Sequence, residues 1–205
     1  PSKVLVIGGG DGGTIREVLK HHNVDQVILV DIDKMVSEVC LKYLPKISSK
    51  LLSDKVTCLF QDGVEYVKES DEKFDLIIID STDPVGVGEG LFTREFYTDC
   101  HRLLADDGLL INQAESPFYT RKWLLQVSQK LGQVFSQMFF YQANIPTYPS
   151  GYWLFGFASK KYHPSKDFLQ NKYDEQKLAL KYYNQEIHYA SFMLPNFVKD
   201  IINAK

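Results

Sequence analysis

The sequence predicts a doubly wound α/β sheet, and three observations carry the prediction. Short β-branched runs alternate with helical patterns, the runs are continuously apolar, and the last two have no helix between them. Val4–Ile7, Gln26–Val30, Val56–Phe60, Asp75–Ile79 and Gly108–Asn112 read as strands. An unbroken apolar run suits a parallel strand covered on both faces, because neither side can tolerate polar groups. Between them Thr14–Lys20, Lys34–Leu44, Val64–Glu69, Thr93–Leu104 and Arg121–Leu131 repeat their apolar residues at three and four. In the last, Trp123, Leu124, Val127 and Leu131 share one stripe.

The ending departs from a fully parallel sheet. Met138–Ala143 and Tyr152–Ser159 are strands joined by the loop Asn144–Gly151, which suits an antiparallel hairpin. A mostly parallel Rossmann-like sheet with an antiparallel final hairpin is the class I methyltransferase type. The tail from Asp167 reads as a turn-rich segment, then helices around Glu186–Phe192 and Asn196–Ile202. With 205 residues and no internal repeat or linker, residues 1–205 read as a single domain.

Composition narrows the partners. Net charge is −3, which disfavours nucleic acid or an anionic membrane surface. The longest apolar runs, such as Leu76–Ile79, fall far short of a membrane span. Cys40, Cys58 and Cys100 are widely spaced and odd in number, which argues for reduced thiols and a cytoplasmic setting. The five histidines show no metal-ligand spacing beside an acid, so no metal is expected.

Ligands of open α/β sheets bind beyond the carboxyl ends of the strands. Gly8–Gly13, as GGGDGG, follows the first strand, and Asp31-Ile32-Asp33 the second. Gln61-Asp62-Gly63 follows the third, Asp80–Pro84 as DSTDP the fourth, and Gln113-Ala114-Glu115-Ser116 the fifth. Every tip carries an acid. The glycine loop, with Gly8, Gly10 and Gly12, is expected to hold an adenosine-containing ligand, although such a loop can also be a bare strand-to-helix turn. Asp31 suits ribose hydroxyls, or a helix N-cap, though Asp33 is the better cap. Asp62 with Gly63 suits an adenine amino group, or merely a helix start.

Asp11 separates the possible ligands. At roughly 4 Å and an effective dielectric near 20, two unit charges interact by about 4 kcal/mol, so a carboxylate inside the loop opposes a pyrophosphate. A sulfonium nucleoside carrying an amine reverses the sign. Asp80 and Asp83 form either a turn or an anionic pocket for a polyamine. Freeing the lone pair of an amine with a pKa near 10 costs roughly 4 kcal/mol at neutral pH. A carboxylate within hydrogen-bond reach can take that proton. Tyr148, between two prolines, is either a packed loop aromatic or a hydroxyl that orients the nucleophile.

These motifs, with Leu91-Phe92 and Ile145–Gly151 as IPTYPSG, together resemble the polyamine aminopropyltransferases from the first strand to the C-terminus. The resemblance implies transfer of an aminopropyl group from decarboxylated S-adenosylmethionine, a co-substrate rather than a cofactor, to putrescine. The products would be spermidine and methylthioadenosine. It implies Asp11 and Gln113 on the aminopropyl end, Asp31 on the ribose, and Asp62 with Gly63 on the adenine. Asp80 would be the base, with Asp83 and Tyr148 holding the diamine. It also implies a homodimer or homotetramer, and an N-terminal β domain in family members that residues 1–205 lack, which leaves the activity of these residues by themselves open. The glycine-rich Val85–Gly90 is expected to cover the substrates as a lid. A class I methyltransferase and a non-catalytic nucleoside-binding module are the competing readings.

Overall fold

The computed structural model describes residues 1–83 and 86–204. Pro84, which ends the DSTDP motif, and Val85, which opens the expected lid Val85–Gly90, lie outside the described residues. Seven strands form one sheet: β1 (Lys3–Gly8), β2 (Gln26–Asp31), β3 (Val56–Phe60), β4 (Phe74–Asp80), β5 (Leu104–Gln113), β6 (Gln137–Asn144) and β7 (Tyr152–Ser159). Their order is β3-β2-β1-β4-β5-β7-β6. The first five are parallel, and β7 inserts antiparallel between β5 and β6. The predicted final hairpin is therefore present, and the strand order switches direction between β1 and β4, above which ligands sit in this topology.

Along β1, Val4 and Val6 face one apolar layer with Ile15, Val18 and Leu51, while Leu5 and Ile7 face the other. Both faces are covered, which is why the alternation of side chains left no polar alternation in the sequence. Edge strand β3 is the exception. It is only half-buried, and its unbroken apolar run does not indicate two covered faces. Strand β5 starts four residues earlier than its apolar run, because an irregular pairing between Phe74 and Leu76 accommodates the polar stretch Asp106-Asp107.

The helices are α1 (Gly13–Val18), α2 (Lys34–Tyr43), α3 (Pro45–Ser48), α4 (Gly63–Glu69), α5 (Arg94–Leu103), α6 (Arg121–Val134), α7 (Gln170–Gln176), α8 (Gln185–Ser191) and α9 (Asn196–Ile202). Asp33 caps α2 by accepting from Met35 N, and Thr93 caps α5 by accepting from Phe96 N. Thr93 and Leu104, expected inside the α5 helix, are its two caps. The described residues also hold two 3₁₀ segments, Ser49–Leu52 and Gly86–Phe92; the second delivers Phe92 into the core. Helix α7 lies in the stretch expected to be turns. Helix α9 docks on α6, where Ser128 Oγ donates to the Ile202 carbonyl at 3.0 Å. Among the described residues, no helix is long and apolar enough to cross a membrane.

Candidate active site

The tips of β1, β2 and β3 converge on one cleft, whose lining includes Gly8, Gly9, Asp31, Ile32, Asp62, Gly63 and Asp80. Asp31 leaves β2 and binds the glycine loop directly. Its Oδ2 accepts from Gly10 N at 2.9 Å and its Oδ1 from Asp33 N at 2.8 Å. Asp62 caps α4 through Val64 N at 2.7 Å, which occupies Oδ1. Asp11 accepts from Gly13 N at 2.9 Å and is otherwise exposed. The cap reading and the ligand reading of Asp62 are thus compatible, since a carboxylate has lone pairs to spare.

Glycine is demanded here by close approach. A Cβ at Gly9 would stand 2.8 Å from Asp80 Oδ2, and one at Gly10 would stand 2.7 Å from Asp31 Oδ2. The loop is bare so that two carboxylates can lie against it. Gly12, at φ +83°, caps α1 and lies against Leu51 and Ser48, so it shapes the loop from the far side.

The acids on β4 and β5 are held differently. Asp80, at the end of β4, accepts from Thr14 Oγ1 at 2.6 Å. Burial pushes its carboxyl above the ordinary aspartate range, the Thr14 hydrogen bond opposes that, and the charges of Asp11 and Asp31 add to it. Gln113 and Glu115, both buried, hold each other: Gln113 Nε2 donates to Glu115 Oε1 at 2.9 Å, and Glu115 N donates to Gln113 Oε1 at 3.1 Å. Glu115 sits at φ +69°, a conformation disfavoured for a side-chain-bearing residue, and is fixed there by Leu154 N donating to its carbonyl. Its carboxyl is raised by burial and by the facing carboxylate of Asp83, with Gln113 working against the rise.

In the sequence Glu115 is one acidic tip among several, with no role of its own. Its backbone strain and its approach to Asp83 exist only in three dimensions, and the one available signal is its place two residues beyond a strand end. Tyr148 stands apart from the cleft lining. It is 47% exposed and stacks on Trp153 with ring centroids 4.2 Å apart. Its loop nevertheless follows β6, which runs parallel to β5, so the loop lies at the same end of the sheet as the acids. Larger hollows of about 500 and 610 Å³ open near Pro1, Phe168 and Leu169, by the amino ends of β1 and β4, away from this convergence. Among the described residues, no group of three His, Cys, Asp or Glu side chains could hold a metal ion.

The sheet order, with its reversed β7, defines a Rossmann-like α/β protein whose ligand-binding end carries a cleft lined by strand-tip acids. Residues 1–170 match the model of the spermine/spermidine synthase domain. The chain is 51% identical over 204 residues to the polyamine aminopropyltransferase of Clostridioides difficile (strain 630), spanning 98% of this chain and 72% of that protein. It is 50% identical over 201 residues to the polyamine aminopropyltransferase of Alkaliphilus metalliredigens (strain QYMF), spanning 97% and 71%. A crystal structure of spermidine synthase in complex with the transition state analogue AdoDATO superposes with a TM-score of 0.96 at 45% identity, covering all of this chain and 70% of that one. The chain belongs to the spermine/spermidine synthase family, as the sequence motifs implied.

Proposed function

We propose that the protein transfers the aminopropyl group of decarboxylated S-adenosylmethionine to putrescine, giving spermidine and methylthioadenosine. One observation carries this reading: the cleft at the strand tips is lined together by Asp31, Asp62 and the partly desolvated carboxylate of Asp80. The relative bound to AdoDATO and the relatives named polyamine aminopropyltransferase support it. Such a group of negative charges favours a ligand pair that brings positive charge, a sulfonium and two amines.

In the proposed reaction, Gly8, Gly10 and Gly12 shape the loop under the donor, Asp31 takes the ribose hydroxyls, and Asp62 with Gly63 takes the adenine amino group. Asp11 and Gln113 hold the aminopropyl end. Asp80 accepts a proton from the attacking ammonium, which frees its lone pair. The nitrogen then displaces sulfur at the adjacent carbon; the C–S bond electrons return to sulfur, leaving a neutral thioether. Positioning of the two substrates can supply roughly 7–11 kcal/mol of the acceleration. Asp83, joined by Glu115, meets the far ammonium of the diamine, and the hydroxyl of Tyr148 orients it from the β6–β7 loop.

Free Cys40, Cys58 and Cys100 support a reducing, cytoplasmic setting. The assembly we propose is a homodimer or homotetramer, which sedimentation would test. For the reaction itself, calorimetry should show tighter binding of decarboxylated S-adenosylmethionine than of the carboxylated form. The reverse preference would favour a methyltransferase and overturn the proposal.

A further inference from the structure

We propose that Thr14 is a positioning residue for the proton acceptor, holding one oxygen of Asp80 so that the other is left for the amine. The inference rests on the reading of Asp80 as the base and adds to it a residue whose role is confined to that carboxylate. Thr14 is the second residue of α1, and side chains at a helix start tilt back toward the N-terminus. That tilt carries the hydroxyl over the glycine loop to the tip of β4, where it donates to Asp80 Oδ2 at 2.6 Å. The same oxygen is walled on another side by Gly9, whose missing Cβ leaves just enough room for it. Among the described residues Oδ1 accepts no hydrogen bond, while Asp80 lines the cleft.

The charges around Asp80 show why such a residue matters. Burial raises its carboxyl first, and Asp11 from the loop and Asp31 from β2 raise it further. On the other side, β5 ends in Gln113, and the carboxyl of Glu115, two residues beyond, faces Asp83 instead. Among the described residues, Thr14 is the neighbour whose hydrogen bond stabilises the charged form of Asp80. A hydroxyl donor suits the task because it carries no charge of its own. A lysine or arginine there would stabilise the carboxylate too, but would repel the cationic substrates. Losing the donor disfavours the carboxylate, so its midpoint moves up and the base is deprotonated only at higher pH.

The test is the acid limb of kcat/KM against pH for diamine turnover, measured on the protein at the full length its gene encodes. Thr14→Val should move that limb up by about one pH unit, and Thr14→Ser should restore it to within about 0.3 unit. Thr14→Ala serves the same purpose if the valine variant does not fold. Carbon-13 NMR of the Asp80 carboxyl in the same variants reads the midpoint without turnover. A valine variant that melts lower yet keeps the limb and the carboxyl midpoint in place would reduce Thr14 to a structural tie and overturn the proposal. Near-normal turnover in Asp80→Asn would remove the base reading, and this inference with it. Lost turnover in Asp80→Asn alongside an unmoved limb in Thr14→Val would sink the inference alone.

Discussion

The acids on the two halves of the sheet's carboxyl end are held in opposite ways. On the β1–β3 side each carboxylate accepts backbone N–H groups: Asp31 from Gly10 and Asp33, Asp62 from Val64, and Asp11 from Gly13. On the β4–β5 side, among the described residues, no backbone N–H reaches Asp80 or the Glu115 carboxyl. Asp80 has one hydroxyl, Glu115 one side-chain amide, and both are raised by burial and by neighbouring carboxylates. Backbone donors are built into the fold and cost nothing to reorganise when a ligand arrives. The first side is therefore rigid and finished before binding. The second is left with negative charge that the fold does not neutralise, and a cationic ligand completes it.

That contrast breaks most visibly at Asp80. Asp80→Asn keeps the shape and removes the charge, and turnover should fall at least about a hundredfold, the usual scale for losing a general base. Single-turnover kinetics with saturating donor would show it, and near-normal turnover would take Asp80 out of the base role. The next largest effect belongs to the other side. Asp31→Ala removes an acceptor shared by two backbone donors, so donor affinity should fall about 30-fold and Tm by about 4 °C together. Calorimetry and thermal unfolding would read the pair. Loss of affinity with an unchanged Tm would mean that Asp31 is not part of a prebuilt frame.

Much of this contrast is legible in the order of residues alone. The β-branched runs of β1, β2 and β4 are long and bounded by glycines or acids, so their tips are unambiguous and the acids fall where ligands bind. Asp33 is recognisable as a cap because it immediately precedes the helical repeat. What escapes is set by contacts between distant segments. Pro45–Ser48 and Ser49–Leu52 are single turns held by the burial of Leu51, with no period long enough to show. Helix α7 buries none of its residues, so it has no apolar stripe to betray it. Thr14 and Glu115 stay silent for a related reason. A hydroxyl just beyond a glycine loop and a glutamate beyond a strand carry no signal until β4 and Asp83 are placed beside them.

Glu115 sharpens the comparison at a smaller scale. Glu115→Gln preserves the link to Gln113 through the amide oxygen and removes one of two facing carboxylates. The KM for the diamine should rise about tenfold, roughly the 1.4 kcal/mol of one partly screened charge contact, while donor affinity stays within about twofold. Equal losses for both substrates would mean that the two halves of the sheet's carboxyl end are not separate in function.

The smallest effect concerns stability, and its sign follows from the direction of the Asp80 shift. Because burial and the charges of Asp11 and Asp31 raise its carboxyl, the native protein holds that proton more tightly than the unfolded chain. The contribution is fully present below the ordinary aspartate value and is lost as pH rises through the raised native value. At neutral pH the ionised side chain therefore costs stability, and Asp80→Asn, which cannot ionise, should melt higher than the parent in the absence of ligands. The gain should amount to a few degrees at about pH 7.5 and shrink toward nothing in acid well below the ordinary aspartate value, where the parent carboxyl is itself protonated. The same substitution on the other side, Asp31→Asn, should bring no such gain, because its charge is met by Gly10 and Asp33 N–H groups. Thermal unfolding of the two variants at both pH values would decide it. A lower Tm for Asp80→Asn at neutral pH would show that the Thr14 hydrogen bond outweighs burial, and that the charge on this side is compensated by the fold after all.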